Sequence, residues 1–245
     1  MAKKRFRNRG LLWQWVGLVL LGLVAAGVVG YALVPAKVPP SVALPSVTPT
    51  PTQTVAPKPT AVFLGDSYTQ GTGSSTPNLR WSSLVSQKMG WAEDNMGRGG
   101  TAYVAVSDVN GCGLVVCPNY QEMVDAAVAH KPAVVVVAGG QNDLSLFMRD
   151  PATVTDAINK TYRTLRNKLP DARIVAVGPS TPWGVGAPIT GLDRAVQDAA
   201  AAVSATYVSL IAPDVIDPAN VLPDKAHVNN AGHAAIAERV IAALR

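Results

Sequence analysis

Residues 60–245 predict an α/β fold: a parallel sheet of five strands between two helical layers, preceded by one membrane-spanning helix. Three observations carry this. Short β-branched apolar runs alternate with longer amphipathic ones from Thr60 onward, the pattern of a parallel sheet with helical crossovers. The run AVVVVAGG at 133–140 is apolar on every side chain, as a central strand covered on both faces must be. Near the amino terminus, Leu11 to Val34 is a run of 24 residues without a charge.

That run would span roughly 36 Å as a helix, enough for a hydrocarbon core of about 30 Å. Trp13, Trp15 and Tyr31 lie near its ends, where amphipathic rings favour the interface. Residues 3–9 hold five cations, Lys3, Lys4, Arg5, Arg7 and Arg9, and no acid. Such a tail stays on the cytoplasmic side. The expected organisation is a basic tail at 1–10, a signal-anchor helix at 11–34 and an extracytoplasmic remainder. The alternative is a cleaved signal peptide and a secreted protein, but the run is long for a signal core and no A-x-A-type site follows cleanly. Residues 35–59 hold eight prolines among Thr, Ser, Val and Ala. They read as a semi-extended linker. The globular domain then occupies 60–245.

Charge divides the same way. The net formal charge is +5, yet from Thr60 onward 14 Lys and Arg face 16 Asp and Glu. The cationic excess belongs to the tail and linker, which argues against nucleic acid as a partner.

Within the domain, AVFLG (61–65) reads as the first strand. Residues 77–90 read as a helix bracketed by Pro77 and Gly90. A short strand ends at Asn95, a helix covers 119–130, and the central strand follows. Asp150 and Pro151 open a helix at 151–168. RIVAVG (173–178) is a strand, 189–204 a helix, TYVSL (206–210) the last strand, and AGHAAIAERVIAALR the closing helix.

Functional groups in parallel sheets collect beyond the carboxyl ends of the strands. Here the first strand runs into Gly65-Asp66-Ser67, the second ends near Asn95-Met96-Gly97, and the central one ends in Gly140-Gln141-Asn142-Asp143. Asp224-Lys225-Ala226-His227 precedes the final helix. Singly these are weak signals: Ser67, Asn142 and Asp143 fit helix caps, and His227 fits a polar surface loop. Together they supply a serine, a base, an orienting acid and an amide donor, the parts that acyl transfer needs. Asp224 precedes His227 by three residues, so one turn of chain presents both side chains to one place.

The set resembles the four blocks of the SGNH (GDSL) esterase family: GDS at 65–67, N-x-G-x-x-G in NMGRGG at 95–100, GQND at 140–143, and D-x-x-H at 224–227. HVNNAGHAAIA is similar to that family's continuation into its last helix. The resemblance implies a flavodoxin-like three-layer αβα sandwich and a serine hydrolase acting on esters without metal or cofactor. It implies Ser67 as nucleophile, His227 as general base then acid, and Asp224 as orienting carboxylate. The oxyanion donors it implies are the backbone N–H groups of Ser67 and Gly97 and the side-chain amide of Asn142. Asp66 is expected to hold the loop by hydrogen bonding. His130 reads as a helix-end cation and His233 as a packed helix residue.

Other enzyme classes lack their motifs. There is no G-x-S-x-G elbow, no H-E-x-x-H, and GTG at 71–73 lacks the third glycine of a dinucleotide loop. Cys112 and Cys117 are spaced for a disulfide that closes a small loop, contributing about 2 kcal/mol. The absence of a long lid insertion favours short acyl or acetyl esters, on a small molecule or a glycan. Acyl transfer to a sugar hydroxyl and a non-catalytic surface-binding role are the alternatives. Substrate choice is expected to lie in the loops 101–118 and 179–191.

Overall fold

The computed structural model describes residues 56–245 together with Val19, Leu21 and Leu23. The chain divides into two units, Met1–Thr54 and Val55–Arg245. In the first, Val19, Leu21 and Leu23 are helical and exposed. The rest of the expected span at 11–34, the basic tail and most of the linker lie outside the described residues. Among the described residues no helix is long and apolar enough to cross a membrane. Ala56 to Pro59 are exposed and without regular structure.

The second unit holds the five expected strands: β1 (Thr60–Gly65), β2 (Ala92–Gly97), β3 (Val134–Ala138), β4 (Arg173–Val177) and β5 (Thr206–Val208). They form one sheet in the order β2-β1-β3-β4-β5, every pair parallel. The helices are α1 (Ser67–Gln70), α2 (Trp81–Met89), α3 (Val109–Cys112), α4 (Tyr120–Ala129), α5 (Leu144–Arg149), α6 (Pro151–Lys168), α7 (Ala187–Ala202) and α8 (Asn230–Leu244).

Alternation along the strands builds two cores. Val62, Leu64, Val135 and Val137 pack with Met123 of α4, Ile158 and Leu165 of α6, and Leu192 of α7. Ala61, Phe63, Val134 and Val136 point the other way, to Trp81 and Val85 of α2 and Ile236 and Val240 of α8. The result is a three-layer αβα sandwich. Its strand order reverses direction between β1 and β3, the switch point where such sheets open a crevice. The register aligns Gly65 with Gly97 on one side and Ala138 on the other. Three strand ends therefore stop at one level, and the loops that follow share a rim.

Two expectations are corrected. The helix expected over 77–90 is a 3₁₀ turn at Pro77–Leu79 followed by α2, because Arg80 is extended at φ −71°, ψ 150°. The Arg80 Nε there donates to Ser83 Oγ at 3.0 Å and to Glu93 Oε1 at 3.2 Å, interactions made outside a continuous helix. Asp143 stands at the N-cap of α5 but makes no cap bond. Its carboxylate instead accepts from the N–H groups of Val104 and Ala105, at 3.1 and 2.7 Å, and so pins the loop after β2.

Candidate active site

Ser67 is the first residue of α1, placed there by the turn that ends β1. Asp66 caps that helix: its Oδ1 accepts from the N–H of Tyr68 at 2.9 Å. As at any helix start, the Ser67 N–H has no partner within the helix, and it has none elsewhere among the described residues. The Ser67 hydroxyl lies 2.9 Å from Nε2 of His227, and Nδ1 of His227 lies 2.7 Å from Oδ2 of Asp224.

The second pair arrives on a small hairpin. Leu222 N–H donates to His227 O at 2.8 Å, and Val221 and Val228 form an antiparallel bridge. Within it, Asp224 Oδ1 accepts from the N–H groups of Ala226 and His227, at 2.9 and 3.0 Å. Those bonds, the one to Ala226 foremost, together with the imidazole, hold the Asp224 carboxyl down to about 2. It stays ionised at any ordinary pH. Tyr68 ties the hairpin to the serine, its hydroxyl donating to Ala226 O at 2.9 Å. A serine bonded to an imidazole whose other nitrogen bonds a fixed carboxylate can pass its proton to that imidazole as it attacks a carbonyl carbon.

Asn142 borders the same cleft of about 410 Å³ as Ser67 and His227. Its Nδ2 donates one hydrogen to Thr101 O at 3.0 Å, and the second has no partner among the described residues. Gly97 is not brought there. Its N–H is taken by Asn95 Oδ1 at 2.9 Å, and it borders a separate groove with Arg98 and Cys112. A Cβ at Gly97 would run into the backbone of Thr69 and Gln70. The close approach that requires glycine at 97 is thus to α1, not to a ligand. Gly100 lies in the cleft instead, at φ +77°, and its N–H has no partner among the described residues.

The GDSL-like lipase/acylhydrolase family model matches residues 63–235. The chain belongs to this family. It is a hydrolase of ester bonds. A GDSL lipase of Mycobacterium tuberculosis is 27% identical over 186 residues, covering 72% of this chain and 78% of that protein. The crystal structure of TesA aligns with a TM-score of 0.59 at 20% identity, covering 76% of this chain and 98% of that one. A two-domain esterase active on acetylated mannans aligns at 0.55 and 22% identity, over 76% of this chain and 48% of that one. At these identities the two structures speak for the fold.

Beneath the serine, the GDSL hydrolase buries the Asp66 carboxyl, 1% exposed. The Gln141 amide donates to its Oδ2, while Tyr120 donates to the neighbouring Ala138 O at 3.0 Å. Burial outweighs the hydrogen bonds that favour the carboxylate, that from the Tyr68 N–H foremost, and pushes the acid up to about 7, from about 3.9 in an unfolded chain. The folded state therefore holds this proton more tightly than the unfolded one. The sign follows by linkage: its contribution to stability is greatest below about pH 4 and is lost as pH rises toward about 7. Asp66→Asn keeps the cap acceptor and removes the ionisation. In urea titrations the variant should gain on the wild type across that interval. A stability difference that does not change with pH would show that Asp66 titrates as it does when unfolded.

The two loops expected to govern substrate choice both border the cleft, through Ser107, Asn110 and Gly111 on one side and Trp183 on the other. Cys112 and Cys117 are disulfide-bonded. Next to that staple, Gly111 O accepts from Gly99 N–H at 3.0 Å and from Gln70 Nε2 at 3.1 Å, so the bridge steadies the cleft edge. His130 terminates α4 and pairs with Asp94. His233 is fully buried, with Nδ1 accepting from Trp81 N–H at 3.4 Å and Nε2 donating to Thr72 O at 3.1 Å. Among the described residues no three His, Cys, Asp or Glu side chains converge as a metal site would require. Sequence reasoning missed Gly100, Gln141 and Trp183. The motif contained Gly100 and Gln141, but their roles depend on hydrogen bonds that spacing does not specify.

Proposed function

We propose that the enzyme cleaves short-chain acyl or acetyl esters through an acyl-enzyme on Ser67. The observation that carries this reading is the unbroken chain from Ser67 Oγ to His227 Nε2 and from His227 Nδ1 to Asp224, opening on a cleft. In this mechanism Ser67 Oγ bonds to the ester carbonyl carbon while its proton passes to His227 Nε2. The carbonyl oxygen becomes an oxyanion, bound by the N–H of Ser67, the N–H of Gly100 in place of Gly97, and the Asn142 amide. The oxyanion collapses, the carbon–oxygen bond to the alcohol breaks, and His227 returns its proton to that oxygen. A water then repeats the sequence on the acyl-serine, giving the carboxylic acid and free Ser67. Asp224 stays charged and orients the imidazole throughout.

A fluorophosphonate probe tests this directly. It should label the full-length protein at one site, within the peptide holding Ser67, and Ser67→Ala should abolish labelling. Labelling that survives the substitution would overturn the assignment.

We further propose that the protein is a single-pass membrane protein with its catalytic domain outside. The basic tail and the uncharged run support this. Protease added to intact cells should cut the linker and release a fragment beginning near residue 60. Protection of the full-length chain would refute the topology.

A further inference from the structure

Trp183 is 62% exposed and lines the cleft that holds Ser67 and Asn142. Isolated exposed apolar side chains are ordinary on a protein surface, but two observations set this one apart. Its backbone is held: the Trp183 N–H donates to Thr181 Oγ1 at 3.1 Å, and Ser180 and Thr181 beside it are each 2% exposed. The ring therefore stands on a fixed stem. The second observation is the company it keeps. Among the described residues no Leu, Ile, Val, Met or Phe side chain lines the cleft, whose other contributors include Gln70, Ser107, Asn110 and Asn142.

A channel for a long acyl chain needs continuous aliphatic walls, and this cleft has none. One exposed aromatic plane, Trp183, with the largely buried Tyr68 and a set of amides and hydroxyls, suits a different ligand. A pyranose ring has a face of C–H groups that packs on an aromatic plane, while its hydroxyls need hydrogen-bonding partners at the edge. Amides and hydroxyls supply both donors and acceptors. We propose that Trp183 is a specificity-determining platform that stacks on the sugar ring bearing the scissile ester, and that the substrate class is an O-acetylated glycan. This inference rests on the ester-hydrolase reading and narrows its substrate.

The test compares two esters on the full-length protein in detergent: a chemically O-acetylated oligosaccharide, and ethyl acetate, which has neither a sugar nor an aromatic ring. Trp183→Ala should raise KM for the oligosaccharide by about tenfold, the order of one lost stacking contact, with kcat changed by no more than about twofold. On ethyl acetate kcat/KM should stay within about twofold. Trp183→Phe retains an aromatic plane and should recover most of the oligosaccharide KM. Equal losses on both esters would make Trp183 merely structural and overturn the proposal. So would an unchanged KM for the oligosaccharide, or a wild-type enzyme that hydrolyses only ethyl acetate; neither result touches the serine mechanism. Failure of the mechanism looks different: Ser67→Ala would retain activity on ethyl acetate.

Discussion

Ser67→Ala is expected to lower kcat on a short-chain ester by several orders of magnitude, about 10⁴–10⁶, with folding intact. The hydroxyl is the atom that forms the covalent bond, and nothing else among the cleft side chains lies in bonding reach of His227 Nε2. His227→Ala should cost a similar factor, because the serine then keeps its proton. The double variant should be little worse than either single one, since nucleophile and base act as one unit. Asp224→Asn should be milder than the loss of Ser67. An asparagine there can still accept at Oδ1 from the N–H groups of Ala226 and His227, so the hairpin survives, but its Nδ2 replaces the Oδ2 acceptor and donates to His227 Nδ1, which removes the charge and favours the wrong tautomer. Asp224 is also about half exposed, which lets water screen the change. Stopped assays with thermal melts on each variant decide the matter. Near wild-type turnover by a folded Ser67→Ala protein would remove the serine mechanism.

Legibility in the sequence followed how locally each feature is encoded. Strands β1, β3 and β4 were readable because burial on both faces forces continuous apolar runs. Helix α6 was readable at both ends, because Asp150 and Pro151 act within one turn of their own position. Asp224 and His227 were readable as a pair because three residues of chain connect them. The break at Arg80 was not, since it depends on Glu93, which arrives on β2. Asp143 reads as a helix cap by position, but its partners Val104 and Ala105 come from another loop. The resemblance around β2 implied Gly97 as the donor and passed over Gly100 in the same motif. Which N–H stays free is decided by the Asn95 side chain, a contact no spacing rule contains. Trp183 carried no motif at all. Its interest comes only from the loop that sets it beside Ser67.

The oxyanion site yields the second large effect. Asn142→Ala should leave the Ser67–His227 bond in place and remove one donor, lowering kcat by about 10²–10³ with a smaller change in KM. The donor matters more in the transition state than in the bound ester, because full negative charge develops only there. The two glycines give the complementary test. A Cβ at Gly97 meets the backbone of α1, which cannot yield, so Gly97→Ala should act first on stability. A Cβ at Gly100 would lie 2.8 Å from Ser107 Oγ, the end of a small side chain that can rotate away. Its main cost is the φ of +77°, about 1–2 kcal/mol for an alanine. Gly100→Ala should therefore fold, and relaxation of that φ should turn its N–H off the oxyanion and reduce kcat. Melting curves and kcat measured side by side separate the two positions. A folded Gly97→Ala enzyme with depressed kcat, alongside a fully active Gly100→Ala, would return the donor role to Gly97. An Asn142→Ala enzyme with unchanged kcat would remove the amide from the site.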